Sequence, residues 1–376
     1  MKARVTQTDI ARVAGVHNTT VSLSLRNSRL IPDPTRMRIR ALAEKMGYCP
    51  DPALTALVAY RNSCRLKRRA VTLAYITNWE TRWGWQDHPT HEKYHIGAQR
   101  QAAESGYHLE HFWLGEEGMS QQRLSGMLLH RGISGVLLAA QRAMCDNLSG
   151  IDWSRLSGVR IGCCPQVPAL NQVTVDQNRV VSLAMRRIRL AGYRRIGLVL
   201  PPCWGEPVDH SWSKAYFAEQ FPLRASDRLP PLYLQGPQPG PLLTGLGSDR
   251  PDEAGAFARW YHEHRPEVVL GVGPVVLARL NQIGLSVPRD VAYVDLLLDH
   301  PEGVAGVREN CERVGALAVE MLARQLQQNV FGAPAVATIT SVCGVWADGA
   351  SLPAATRTPV RDMAPEEARV KVDLVA

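Results

Sequence analysis

The chain has 376 residues, enough for two or three domains, and its 45% hydrophobic and 21% charged residues exclude wholesale disorder. It has no apolar leader and no apolar run of 18 residues, and its 8 Cys are scattered without a C-x-x-C. A secretory signal, a membrane span and a disulfide or zinc scaffold are therefore not expected, and the chain reads as cytoplasmic. The net charge of +8 is uneven: residues 1–69 hold 14 Lys and Arg against 4 Asp and Glu, the rest 29 against 31. A basic module thus precedes a nearly neutral body, and a polyanion is the expected partner of the basic end.

Residues 6–14 are expected to form a helix, with Thr6 and Asp9 spaced as a capping box and Ile10, Val13 and Ala14 on one face. Gly15-Val16 interrupts it, because Gly tolerates a left-handed turn. A second helix is expected from His17 or Asn18, burying Val21 and Leu25 and presenting Asn18, Thr19 and Ser22. This is the spacing of a helix-turn-helix. A third helix runs from Pro34 through Met37, Ile39, Leu42, Ala43 and Met46 to a stop at Gly47. A helical bundle without a nucleic-acid role is the bland alternative, and the charge of the module argues against it.

The elements Val5-Thr6, Asp9-Ile10-Ala11, Ala14-Gly15-Val16, Thr20-Val21-Ser22, Thr35-Arg36 and Gly47-Tyr48 with Pro50 together resemble the headpiece of the LacI/GalR family of transcriptional regulators. The resemblance implies that the second helix enters the major groove with its N-terminal residues at base edges. The matching positions are Asn18, Thr19 and Leu23; Asn reads adenine in a bidentate way and Thr meets a thymine methyl. Leu23 stands where the family often has Arg, so guanine is not read there. The resemblance assigns phosphate contacts to Thr6, Gln7, Thr20, Ser22 and Asn27. His17 replaces the usual Ser N-cap; a weaker cap and an exposed turn residue are equal readings.

Asp51-Pro52 can open a short helix whose Ala53, Leu54, Ala56, Leu57, Val58 and Ala59 are more apolar than one helix can hide. The resemblance implies a hinge helix that pairs with that of a second subunit in the minor groove, with Leu57 as the lever wedged into a base step. The alternative is packing of Leu54 and Leu57 on the body. Arg61, Arg65, Lys67, Arg68 and Arg69 make a basic linker suited to backbone attraction.

From residue 70, short apolar runs alternate with helical stretches: Val71–Ile76, 92–105, Leu109–Leu114, 119–131, Val136–Ala139, Val159–Cys163, 178–191, Ile196–Leu200, 213–221, Pro231–Leu234, 252–264, Val268–Val272, Val275–Ile283, Val291–Val294 and 312–328. Such alternation means parallel sheets covered on both faces. Val175-Asp176 and residues 190–200, 284–294, 307–322 and 341–352 resemble the family's periplasmic-binding-protein-like core. The expected fold is α/β: a small all-α helix-turn-helix headpiece, then a two-lobed core of doubly wound parallel sheets. The expected division is headpiece 1–50, hinge and linker 51–69, core 70–352 and flexible tail 353–376. Within the core, one lobe takes about 70–170 and 303–328, and the other about 171–300 and 335–352.

The resemblance places a small-molecule effector in the cleft between lobes. Three usual polar contacts are replaced, by Ser213, Gly273-Pro274 and Asp295-Leu296-Leu297. Trp79, Trp83 and Trp85 follow one strand, and Trp204 and Trp212 another. Aromatic faces of this kind suit a carbohydrate; a packed lid or subunit contact is the bland reading. Asp176, Asp295 and Arg308 are candidate polar partners. Asp87, His88, His91 and His95 form a polar cluster that reads as a surface loop in preference to a metal site. No P-loop, G-x-S-x-G or G-x-G-x-x-G occurs, so no catalytic residue and no cofactor is assigned.

The reading is a homodimeric, sequence-specific regulator, in the first instance a repressor. It binds double-stranded operator DNA under control of a carbohydrate effector and is not an enzyme. The alternatives are an effector-independent regulator with a filled cleft, or a sugar-binding or enzymatic protein with an incidental basic N-terminus.

Overall fold

The computed structural model describes residues 5–28, 30–48, 71–139, 148–162, 168–200, 210–234, 251–299 and 303–355. The hinge and basic linker, Leu57, Trp204 and most of the expected tail lie outside these residues.

Three helices form the headpiece: α1 (Gln7–Ala14), α2 (Asn18–Leu25) and α3 (Asp33–Lys45). Ile10, Ala11, Val21, Ile39 and Ala43 make its buried core, closed by Leu25, Leu42, Met46 and Tyr48. Val13 and Met37 point outward instead, 60% and 71% exposed. At 100° per residue, the stripe through Ile10, Ala11 and Ala14 turns Val13 away.

The first lobe alternates β1 (Val71–Thr77), α4 (Pro89–Glu104), β2 (Tyr107–Trp113), α5 (Gln121–His130), β3 (Gly135–Leu138), β4 (Ser157–Ile161) and β5 (Asn171–Val175). Then come α6 (Gln177–Leu190), β6 (Ile196–Leu200), α7 (Ser211–Gln220), β7 (Leu232–Tyr233), α8 (Pro251–His264), β8 (Val268–Gly271), α9 (Gly273–Gln282), β9 (Ala292–Asp295) and β10 (Ala305–Arg308). After them come α10 (Cys311–Gln327), β11 (Ile339–Val342) and β12 (Val345–Ala347).

Among the described residues two six-stranded sheets result, in the orders β11-β5-β4-β3-β1-β2 and β12-β10-β9-β8-β6-β7. All pairings are parallel except β12, which lies antiparallel to β10. Strands such as Val268–Gly271 are buried throughout, as continuous apolar runs between helical layers must be. Both sheets reverse their winding direction after the first strand. Crevices therefore open at the C-terminal ends of β1/β3 and β6/β8, where ligands of open α/β sheets bind.

The sheets interleave the chain differently from the expected division. Asn171–Val175 pairs with β4 in the first sheet, Ala305–Arg308 with β9 in the second, and Ile339–Val342 with β5 in the first. Each is a short segment whose neighbour is fixed by tertiary pairing, which pattern alone does not reveal. The chain therefore crosses between sheets after Val175, after Arg308 and after Val342.

The first lobe is fastened by a very close helix pair. A Cβ on Gly97 of α4 would lie 1.9 Å from the Glu312 carbonyl oxygen, and one on Gly315 of α10 would lie 2.0 Å from that of Tyr94. Only glycine allows the two backbones this approach.

Candidate nucleic-acid interface and interlobe cleft

The headpiece turns on local bonds. The Thr6 N–H donates to Asp9 Oδ2 at 3.0 Å while the Asp9 N–H donates to Thr6 Oγ1 at 3.3 Å, a complete capping box. These Thr6 bonds, with the Arg12 guanidinium, hold the Asp9 carboxyl below its ordinary range. Gly15 then takes φ 68°, and the Val16 N–H closes α1 on the Ala11 carbonyl. His17 does cap α2: its Nδ1 accepts from the Thr19 N–H at 3.3 Å and lies 2.9 Å from Thr19 Oγ1.

This geometry presents Asn18 and Thr19 to solvent at the first turn of α2, with Leu23 half-buried one turn later. Several expected phosphate ligands are engaged within the headpiece. Thr6 Oγ1 donates to Asp9, and Gln7 Nε2 donates to the Tyr48 hydroxyl at 3.0 Å. Ser22 Oγ accepts from Arg26 Nη2 at 2.7 Å, and Asn27, in the left-handed region at φ 59°, accepts from Arg40. Thr20 is half-buried. Arg26 is not among the expected DNA contacts. It lies on the stripe of Asn18 and Ser22, exposed and aimed by Ser22; the i, i+4, i+8 spacing was the available signal.

At the end of β1, aromatic and imidazole rings pack together. Trp79 lies 4.7 Å from His88 and 5.1 Å from His91, and Trp85 lies 4.8 Å from His95 and 5.9 Å from Tyr75. Trp83, 50% exposed, covers His111 at 4.9 Å, and Arg82 sits over the Trp83 ring. The expected surface loop at His88, His91 and His95 is therefore a packed cluster, because the indoles supply an apolar shell. Burial pushes His88 and His95 below the ordinary histidine range. Burial, then His88, takes His91 down to about 3. Burial, then Arg82 and His95, takes His111 down to about 4. These imidazoles are neutral at pH 7. Buried Trp85 Nε1, His91 Nδ1 and His111 Nδ1 have no hydrogen-bond partner. Among the described residues, no group of three or more His, Cys, Asp or Glu could hold a metal ion.

The crossings between sheets are tied to one another. Gln177 Nε2 donates to Glu309 Oε1 at 2.9 Å, the Trp212 indole N–H donates to Gln177 Oε1, and Asn310 Nδ2 donates to the Cys343 carbonyl at 2.7 Å. Burial raises the Glu309 carboxyl; Gln177, Cys311 and the Lys93 ammonium oppose that rise. Burial likewise raises Asp295, whose Oδ1 accepts from the Gly273 and Leu297 N–H groups at 3.2 and 2.9 Å.

Residues 6–51 match the profile described as bacterial regulatory proteins, lacI family. These residues carry the DNA-binding domain of that family. No curated protein matches the chain in sequence. Its fold is that of LacI-family structures. The CelR transcriptional regulator in complex with cellobiose has 20% identity and a TM-score of 0.53, over 93% of this chain and all of that one. A LacI-family regulator from Rhizobium etli has 18% and 0.57, over 76% of this chain and all of that one. The lac repressor dimer bound to operator and the anti-inducer ONPF has 14% and 0.55, over 94% of this chain and all of that one. Among the described residues, no helix is long and apolar enough to cross a membrane.

The candidate effector ligands of the core are placed unevenly. Trp79, Trp85 and Trp212 are buried, and the Trp79 carbonyl accepts from the Trp113 indole at 2.8 Å. Asp176 caps α6, accepting from the Arg179 N–H at 3.0 Å. Asp295 is buried and bonded to backbone, whereas Arg308 ends β10 exposed. Ser213 bonds to the Tyr233 hydroxyl at 2.8 Å. Packing inside each lobe thus claims most of the aromatic faces, which the loop position of these residues in the sequence could not disclose. A separate cavity of about 540 Å³ opens beside the ends of β1 and β2, lined by Asn78, Leu114, Met119, Gln121, Leu148 and Ser149 among others.

Proposed function

We propose that this protein is a LacI-family regulator that binds a pseudo-palindromic operator as a homodimer and represses transcription. Asn18, Thr19 and Leu23 read bases, and Thr6, Gln7, Thr20, Ser22 and Asn27 meet phosphates, joined by Arg26. Leu57 of the hinge wedges into the central step. The observation that carries the reading is the first turn of α2: capped by His17, it presents Asn18 and Thr19 outward from a strongly basic module. Charge supplies affinity and salt dependence, and the uncharged residues supply specificity. A duplex selected from random sequence by the full chain tests this. Deleting residues 1–60 should abolish its binding; survival of binding would place the DNA contact elsewhere.

For the core, the proposed effector is a carbohydrate in the interlobe cleft, with Trp79, Trp83, Trp85, Asp176, Trp204, Trp212, Asp295 and Arg308 as candidate contacts. Support comes from the two-lobed fold shared with a cellobiose-bound regulator. An effector-independent regulator is the second reading, favoured by the internal bonding of Trp212 and Asp295. A thermal-shift panel of mono- and disaccharides decides between them: a shift with one sugar supports the first, and none beside intact DNA binding supports the second.

A further inference from the structure

We infer that Lys93 and Asp299 form a latch that holds the two lobes together without effector. The inference concerns the regulation of the cleft and rests on the reading that the lobes close around it.

The two residues belong to opposite lobes. Lys93 stands in α4 of the first, and Asp299 follows β9 of the second; their side chains form an ion pair. The pair is 38% and 29% exposed, so water and salt screen it less than a pair standing free on the surface. Lys93 is also fixed in place. Along the same face of α4 come Gly97, in backbone contact with Glu312, and Arg100, whose Nη1 meets Glu312 Oε2 at 2.9 Å. Two successive turns after Lys93 are thereby clamped to the start of α10, and the ammonium cannot follow a departing second lobe.

The hinge itself is braced beside Lys93. Its three crossings are cross-tied by Gln177 to Glu309, by Asn310 to the Cys343 carbonyl, and by the Asp176 N–H to the Val342 carbonyl at 2.9 Å. Glu309 lies near enough for the Lys93 ammonium to stabilise its carboxylate. Lys93 therefore faces an anion of the hinge and an anion across the cleft. Rotation about the tied hinge separates Lys93 from Asp299. Closure is then the resting state, and an effector acts by displacing the pair or binding beside it.

The test uses the full chain without ligand. Lys93→Met and Asp299→Asn are compared with the charge-exchanged double variant K93D/D299K by hydrogen exchange and small-angle X-ray scattering. Each single variant should widen the scattering profile and raise exchange about tenfold at the amides around Lys93 and Asp299 that the facing lobe covers. The double variant should return both towards the parent. Unchanged singles, or a double variant as open as the singles, overturn the latch. Should Lys93→Met fail to fold by circular dichroism, Asp299→Asn carries the test. Operator affinity is read in parallel. Opening without a change in affinity keeps the latch and instead overturns the coupling of lobe angle to DNA binding.

Discussion

The headpiece and the core handle their polar groups in opposite ways. Along α1 and α2 the capping and aiming bonds are local: Thr6 with Asp9, His17 with Thr19, Ser22 with Arg26. In the core they join positions far apart in sequence, such as Gln177 with Glu309 and Lys93 with Asp299. A locally built surface keeps its geometry on whatever body carries it, so it can bring specificity with it. A surface assembled over distance changes when its lobes move, which suits a sensor.

The largest test strikes the long-range side. Gly315→Ala puts a methyl group onto the Tyr94 backbone and should destabilise the core by about 3 kcal/mol, since overpacking here meets main chain that cannot give way. Urea unfolding should register the loss in the core transition while the headpiece unfolds as before. A loss shared equally by both would mean that the two regions are not independent.

Acid is the next test. His91 and His111 are buried neutral, with folded values of about 3 and about 4 against an ordinary 6.5. The unfolded chain then binds more protons below 6.5. Core stability is therefore full above that pH and falls as pH drops, by about 2 kcal/mol between pH 7 and 5 for the fully buried His91 alone, with His111, partly open to solvent, adding less. Replacing His111 with Gln should flatten the core's profile measured by urea melts; an unaltered slope would remove His111 as a cause.

That contrast also explains what could be read in advance. The helix-turn-helix was legible because Thr6, Asp9, Gly15 and His17 act on backbone within a few residues. The strand–helix alternation was legible for the same reason. The sheet membership of Asn171–Val175 and Ala305–Arg308 was not, because a short strand takes its place from partners far away in sequence. The imidazole cluster was misread because Trp79 and Trp85 bury it, and the depth of a loop residue is a tertiary property. Lys93 and Asp299 lie 206 positions apart and carry no local signature at all.

On the local side, Arg26→Gln should lower operator affinity by about 1.5 kcal/mol, evenly across operator variants, and reduce the salt slope by about one. Asn18→Ala should act at one base position only. A sequence-dependent loss for Arg26→Gln would make it a base reader, and the division between charge and specificity along α2 would have to move.

The smallest effect is the most discriminating, because Thr6 has two proposed roles. As a cap, its hydroxyl accepts the Asp9 N–H; as a phosphate ligand, the same hydroxyl would reach the DNA. Thr6→Ala should cost the headpiece about 1 kcal/mol of stability through the cap. Operator titration at a temperature where the variant is fully folded isolates the second role. Thr6→Ser keeps an oxygen for either. If Ala weakens binding at that temperature while Ser does not, the hydroxyl serves the DNA as well as the helix. If both bind like the parent once folded, Thr6 is a cap alone. The bond from its Oγ1 to Asp9 is then the reason: a hydroxyl already satisfied at 2.7 Å gains little from a phosphate.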